Sequence, residues 1–326
     1  MAEITLLQAV TQALAYEMAH DPSVVVLGED VGANGGVFRA TLGLQEKFGA
    51  ARVIDTPLAE SMIAGVAIGM AAQGLKPVAE FQFMGFIYPA FDQIISHASR
   101  LRNRTRGRLH CPLVYRTPYG VGIRSPEHHS ESTEALFAHI PGLRVVIPSS
   151  PARAYGLLLA AIRDPDPVMF LEPSRIYRLV KQNVPDDGKA LPLDQCFILR
   201  EGLDVTLVSW GAMLKETLEA AEQLAKQNIQ AEVIDVATVK PLDIHTILAS
   251  VEKTGRLVIV HEAVRFCGIG AEIAAQVAEK ALTSLLAPIQ RVSAYDVIVP
   301  YLKLEKDYLP STAKIVKTVQ KTMQYG

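Results

Sequence analysis

The sequence predicts an α/β protein made of two domains of mostly parallel β-sheet, and three observations carry that reading. The chain has 326 residues, more than a single core of ordinary size needs. Short runs rich in β-branched residues alternate with segments of helical length, the order expected of parallel sheets covered on both faces. The alternation stops once, at Lys181–Pro192, where Pro, Asp and Lys replace any periodicity, and then restarts. That break predicts a domain at residues 1–180, a linker at 181–200 and a second domain at 201–326.

The first helix, about Thr5–Ala19, precedes a buried strand at Ser23–Gly28. A loop beginning Glu29-Asp30 leads to the strand Arg52–Asp55. Thr56-Pro57 then opens a helix reaching Gly74, with Thr or Asp as cap, Pro in the first turn and Gly at the end. Strand Pro77–Phe83, helix Tyr88–Arg102 and strand Pro112–Arg116 follow, before a long loop at Thr117–Glu134. Strand Leu143–Pro148, helix Pro151–Arg163 and strand Pro167–Glu172 close the first half. Beyond the linker, strands are expected at Asp204–Ser209, Ala231–Val236, Arg256–Val260 and Ile289–Ser293. Helices are expected at Lys215–Gln227, Ile244–Lys253 and Gly270–Leu282.

Composition excludes several classes of function. Lys plus Arg number 32 against 34 Asp plus Glu, a formal net charge of −2 with no basic run, which argues against nucleic acid and membrane surfaces as partners. Hydrophobic residues make up 49%, enough for a large core and too much for disorder. A mean hydropathy of +0.20 leaves apolar surface to be buried against another subunit. Cys111, Cys196 and Cys267 lie far apart with no C-x-x-C pair, so neither a disulfide framework nor a zinc cluster fits. The apolar run Ile63–Ala72 is far short of the roughly 20 residues that span a bilayer. With no basic n-region at the start, the expected location is the cytoplasm.

Glu60 follows the carboxyl end of a predicted parallel strand, where open α/β sheets bind ligands. An acid in a first helical turn is also favoured by the helix dipole alone. The helix after it, Met62–Gln73, is apolar on every side and carries Gly65 and Gly69, so something must cover it. The pair His128-His129 sits in the long loop without the acids or cysteines of a metal site. Helix Pro151–Arg163 ends in Ala161-Ile162-Arg163-Asp164-Pro165-Asp166, where unpaired carbonyls meet carboxylates. That is oxygen-rich ground for a cation, or a plain Asp-Pro helix stop. Gly268-Ile269-Gly270 is a weak dinucleotide signal, because it stands well away from strand Arg256–Val260. His261-Glu262, at that strand's end, is expected to have a structural or interface role.

Five stretches carry a resemblance in order and spacing: Gly28-Glu29-Asp30-Val31-Gly32, Asp55-Thr56-Pro57-Leu58-Ala59-Glu60, Glu80-Phe81-Gln82-Phe83, Glu127-His128-His129-Ser130 and Ala161-Ile162-Arg163-Asp164. Over essentially its whole length the chain resembles the beta chains of thiamine-diphosphate-dependent 2-oxo acid dehydrogenases, of the pyruvate dehydrogenase type. The resemblance implies a thiamine-diphosphate-binding fold, with a parallel-sheet pyrimidine-binding domain followed by a transketolase C-terminal-like α/β domain. It implies oxidative decarboxylation of pyruvate with acyl transfer to the lipoyl group of an acyltransferase core, a branched-chain 2-oxo acid or acetoin enzyme being the alternative. A nucleotide-dependent oxidoreductase and a non-catalytic scaffold are the rivals from other classes.

By the same resemblance, Glu60 is the carboxyl that bonds the cofactor's pyrimidine N1′ and favours the imino tautomer, from which the thiazolium proton is removed. Phe86 is the aromatic stacked on that ring, and Gln82 lines the same pocket. His129, the histidine followed by Ser, is implied as a proton donor in acyl transfer, a task for a group titrating near neutrality. His128 is a neighbour only, and Glu131 replaces the Gln or Asp usual in the family. Leu113, Ala161, Ile162, Asp164 and Asp166 match a structural K⁺ site. Glu29 and Asp92 are implied near the active site, linking the paired sites of a tetramer. No Gly-Asp-Gly occurs in the sequence, which implies that Mg²⁺ and the diphosphate are held by an alpha subunit in a heterotetramer. The second domain is implied in beta–beta dimerisation and in docking the acyltransferase core.

Overall fold

A computed structural model of the chain describes residues 3–325. Its first sheet has 7 strands, in the order Thr238–Lys240, Arg144–Val146, Val168–Pro173, Val114–Tyr119, Lys76–Glu80, Val24–Gly28 and Val53–Asp55. All run parallel except Thr238–Lys240, an antiparallel edge strand that crosses over from the second half of the chain. Side chains alternate between faces, as strand geometry demands. Val24, Val26, Val78, Val114 and Val168 pack against helices Leu6–His20 and Pro151–Arg163. Ala79, Tyr115, Met169 and Leu171 share a second core with Ile63, Ala64 and Ala67 of the helix Glu60–Ala72, and that core continues to Val208, Trp210 and Ile259. The two halves therefore share apolar packing.

The second sheet has 5 strands, in the order Gln290–Ala294, Leu257–Val264, Val205–Ser209, Ala231–Asp235 and Phe197–Arg200. Only Phe197–Arg200 is antiparallel. Helices Leu214–Ala225 and Thr312–Thr322 cover one face through Leu214, Ala221, Ile315 and Val319. Among the described residues no helix is long and apolar enough to cross a membrane.

Where local end signals are complete, expectation and structure agree closely. Thr5 and Gln8 form a capping box at the start of Leu6–His20, and Ser150 caps Pro151–Arg163, which has Pro at its start. Two expected helices need correction, and the expected linker holds strands. The helix expected from Thr56-Pro57 begins only at Glu60, because Thr56 N still donates to Gly28 O at 3.0 Å and keeps the chain extended. The helix expected at Tyr88–Arg102 is broken into a 3₁₀ segment Met84–Ala90, a π turn Gln93–His97 and shorter turns to Arg104, with Pro89 inside the first. The linker at 181–200 holds two strands: Lys181–Asn183 pairs antiparallel with Glu3–Thr5, and Phe197–Arg200 edges the second sheet. Both owe their strand form to distant partners.

A charged network lies inside the first sheet. The guanidinium of Arg116 is buried and binds Glu172 in two places, Nε to Oε1 at 2.7 Å and Nη2 to Oε2 at 2.8 Å. Nη1 donates to Glu80, and Tyr177 Oη donates to Glu172 Oε2 at 2.7 Å. Buried ions need such complete pairing, since one removed partner strands the other charge. The network underlies the edge of the sheet where the motif residues collect.

Candidate active site

Strands Val24–Gly28, Val53–Asp55, Lys76–Glu80 and Val114–Tyr119 are parallel neighbours, so the loops that follow them gather at one edge. Those loops carry Glu29, Glu60, Gln82 with Phe86, and His129.

Glu60 stands in the first turn of its helix, half-buried, after the uncapped residue Ala59. The expected cap, Asp55, instead accepts Gly32 N at 2.6 Å and so holds the neighbouring loop. Ser61 Oγ donates to Pro89 O at 2.6 Å, which ties this helix start to the Met84–Ala90 turn. Partial burial, helped by the charges of Asp30 and then Glu60, raises the Glu29 pKa above that of an ordinary carboxyl.

Phe86 and His129 are brought together. Their ring centroids are 4.9 Å apart, and Phe83 stands 5.7 Å from Phe86 and 4.1 Å from His129. The approach depends on Gly85, where a Cβ would overlap the backbone carbonyl of His128. The loop's short 3₁₀ turn, Glu127–His129, lies directly on that glycine. Tyr88 Oη also donates to Glu131, a second tie between turn and loop. His129 Nδ1 is buried with no hydrogen-bond partner. Burial first, then the adjacent His128, holds the His129 pKa below that of an ordinary histidine, against an upward pull from Glu127. His128 is exposed. Gln82 is half-buried in the bend between Phe81 and Phe83. Asp92 is exposed on the broken helix, where it accepts a bond from Ser96 Oγ at 2.9 Å.

The segment before Leu113 lies against the Ala161–Asp166 helix end, where Cys111 N donates to Pro165 O at 3.1 Å. Val168 N donates to Leu113 O at 3.0 Å, Asp164 N to Ala161 O at 3.4 Å, and Asp166 N to Asp164 Oδ1 at 2.8 Å. Their carboxylates are already engaged, Asp164 by Arg144 Nε at 3.0 Å and Asp166 by Arg102 Nη1 at 2.7 Å. A cation at this point would therefore rely mainly on carbonyl oxygens.

Gly268 and Gly270 serve packing rather than a nucleotide. The ring of His261 lies against them, and a Cβ on Gly270 would come within 2.8 Å of His261 Nε2. Sequence reasoning overlooked Phe83 as the residue nearest His129, and Gly85 as what lets the loop approach. Phe83 did lie inside a quoted motif, but its contact with His129 bridges elements far apart in the chain.

Two mostly parallel sheets with an acid–aromatic–histidine edge define a chain of the transketolase type. Residues 2–180 match the family described as "Transketolase, pyrimidine binding domain", and residues 194–315 match "Transketolase, C-terminal domain". The chain belongs to the family of pyruvate dehydrogenase E1 component beta subunits. It is 47% identical over 325 residues to "Pyruvate dehydrogenase E1 component subunit beta" of Bacillus subtilis (strain 168), covering 100% of both chains. The protein of that name from Acholeplasma laidlawii is 50% identical over 321 residues, covering 98% of each chain. Among solved structures, "Split gene transketolase, inactive beta4 tetramer" superposes with a TM-score of 0.82 at 24% identity, covering 99% of each chain. "Transketolase from Leishmania mexicana" gives 0.72 at 16% identity, covering 99% of this chain and 46% of that one. At those identities the structures establish the fold.

Proposed function

We propose that this chain is the beta half of a heterotetrameric 2-oxo acid dehydrogenase, which decarboxylates pyruvate oxidatively and passes the acyl group to the lipoyl arm of an acyltransferase core. What supports this reading is the chain's full-length relationship to pyruvate dehydrogenase beta subunits, with Phe86 and His129 in ring contact and Glu60 on a neighbouring loop of the same sheet edge. Those relatives favour pyruvate over the branched-chain or acetoin alternative. The division into residues 1–180 and 201–326 joined by 181–200, and a cytoplasmic location, belong to the same reading.

Thiamine diphosphate, when bound, supplies the nucleophilic carbon and the electron sink for decarboxylation. The donor set fits that group: a half-buried carboxyl in a first helical turn, an aromatic face, and a buried ring nitrogen with no partner. Glu60 would hold a hydrogen bond at the pyrimidine N1′, Phe86 would shield the ring's face, and Gln82 would line the same edge. His129 would deliver a proton to the lipoyl sulfur during acyl transfer. Mg²⁺ and the diphosphate fall to the alpha subunit, because this sequence has no Gly-Asp-Gly. The apolar helix offers a face for such a partner: Met62 and Val66 are 39% and 41% exposed, and a Cβ at Gly69 would meet nothing within 4 Å.

The isolated chain should therefore turn over no pyruvate, and adding its alpha subunit should restore decarboxylation coupled to an artificial electron acceptor. Measurable turnover by the pure chain would refute the shared site. K⁺ at the Ala161–Asp166 site is a separate part of the proposal. Replacing NaCl by KCl at equal ionic strength should raise the melting temperature by about 2–4 °C, the size expected of one ion bound to the folded state alone. Asp164→Asn should leave most of that increment, since the carboxylate is already held by Arg144 and the cation would rest mainly on carbonyl oxygens. Equal melting temperatures in the two salts would remove K⁺ from the account.

A further inference from the structure

Glu262 is a buried carboxylate of the second sheet that the proposed chemistry does not use. Its Oε1 accepts Val121 N at 3.1 Å and Ser132 Oγ at 3.0 Å. These donors stand at opposite ends of the loop that carries His129. Between them Gly120 N donates to Glu131 O at 3.0 Å, closing the neck of the loop. Gly120 has φ +82°, and a Cβ there would overlap Glu262 Oε1, so the neck reaches the carboxylate only with glycine at this position. Ser174 Oγ, bonded to the carbonyls of Tyr119 and Gly120 at 3.2 Å, fixes the same strand exit from the other side.

A second cross-domain bond lies just beyond. Trp210 Nε1 donates to Glu134 Oε1 at 3.1 Å, where the loop turns into the helix Glu134–Ala138. Trp210 in turn stacks on His261, the residue before Glu262, at 5.2 Å and 7°. The loop itself is internally ordered: Ser125 Oγ and Ser130 Oγ are 3.0 Å apart, and His129 N bonds Pro126 O at 3.0 Å. Its place relative to Phe83 and Phe86 is then set by its attachment at the neck together with the Gly85 contact and the Tyr88–Glu131 bond.

We propose that Glu262, from the second domain, is a positioning residue for His129: it clasps both ends of the loop and so sets where the imidazole stands. This inference rests on the acyl-transfer role given to His129 above. An unclasped loop regains the conformational freedom that closure removes, and small misplacements of a reacting group are costly.

The test uses the assembled alpha–beta enzyme and two assays, acylation of a lipoyl domain and decarboxylation coupled to an artificial electron acceptor. Glu262→Ala removes the acceptor for both donors, and the ratio of lipoyl to acceptor-coupled rate should fall roughly 10–100-fold, the scale of a misplaced catalytic group. Glu262→Gln keeps an oxygen that can accept both bonds and should restore most of that ratio. Ser132→Ala, which cuts one bond and is the milder variant should Glu262→Ala fail to assemble, should lower the ratio by about 3–10-fold. His129→Ala is measured alongside. If His129→Ala lowers the ratio while Ser132→Ala and Glu262→Ala leave it at the wild-type value, the clasp is wrong and the histidine's role stands. If His129→Ala itself leaves the ratio unchanged, the role of the histidine is wrong. Equal loss in both assays for the Glu262 variants would also overturn the clasp, since that is what a general structural role produces.

Discussion

Glu60→Gln should lower the activity of the assembled enzyme by roughly 10²–10⁴-fold, the usual range for loss of a proton-transfer group. Glutamine keeps the size and the first-turn position but replaces a carboxyl by an amide, and an amide cannot share a proton with a ring nitrogen as a carboxyl does. The helix dipole favours an anion at this point by only about 0.3–1 kcal/mol at an exposed site, so folding and assembly should survive. Exchange of the thiazolium C2 proton, followed in the assembled enzyme, isolates the step that Glu60 would assist. A wild-type exchange rate in the variant would end the assignment. Glu29 supplies an internal check. Its pKa is raised by burial with added repulsion from Asp30 and Glu60, so Glu60→Gln should bring it down, and a carboxyl titration that does not move would mean that the charge of Glu60 does not reach Glu29.

His129→Ala should depress lipoyl acylation by about 10²–10⁴-fold and affect acceptor-coupled decarboxylation far less, because general acid catalysis would serve only the transfer step. His128→Ala should do much less, since that ring is exposed while His129 Nδ1 is buried without a partner. The pH dependence follows from the lowered pKa of His129. The acid form is the one that donates, so acylation should decline as pH rises through a value below the ordinary histidine pKa of about 6.5. Equal losses in the two assays would mean that His129 serves the cofactor or the loop's integrity, and a larger effect at His128 would mean the wrong histidine was chosen.

Much of the frame was legible locally. Pro151–Arg163 has the predicted bounds, and Leu6–His20 begins and ends within a residue or so of expectation; in both a side-chain cap, Ser150 or Thr5, fixes the first turn. Glu60 was legible as an acid after a parallel strand, although its helix starts four residues later than the Thr56-Pro57 signal. The later start has a non-local cause, the bond from Thr56 N to Gly28 O. Tyr88–Arg102 reads as one apolar helix by periodicity, yet folds as a sequence of tighter and wider turns that hold Phe86 and Tyr88 against the histidine loop.

What the sequence determined by itself is the α/β class, most of the strand and helix positions, and the residue types at the edge of the first sheet. Each of these is written in contacts a few residues apart: alternation, caps, glycine and proline stops. Only the tertiary structure decided that Thr238–Lys240 completes the first sheet, that Arg116 is held between Glu80 and Glu172, that Phe83 rather than Phe86 lies nearest His129, and that Glu262 grips the loop. The partners in these contacts come from separate strands and loops, so no local pattern records them. They arise when burial of the two apolar cores brings distant backbone and charges together, and each buried polar group must then find its bond among whatever the fold has placed beside it.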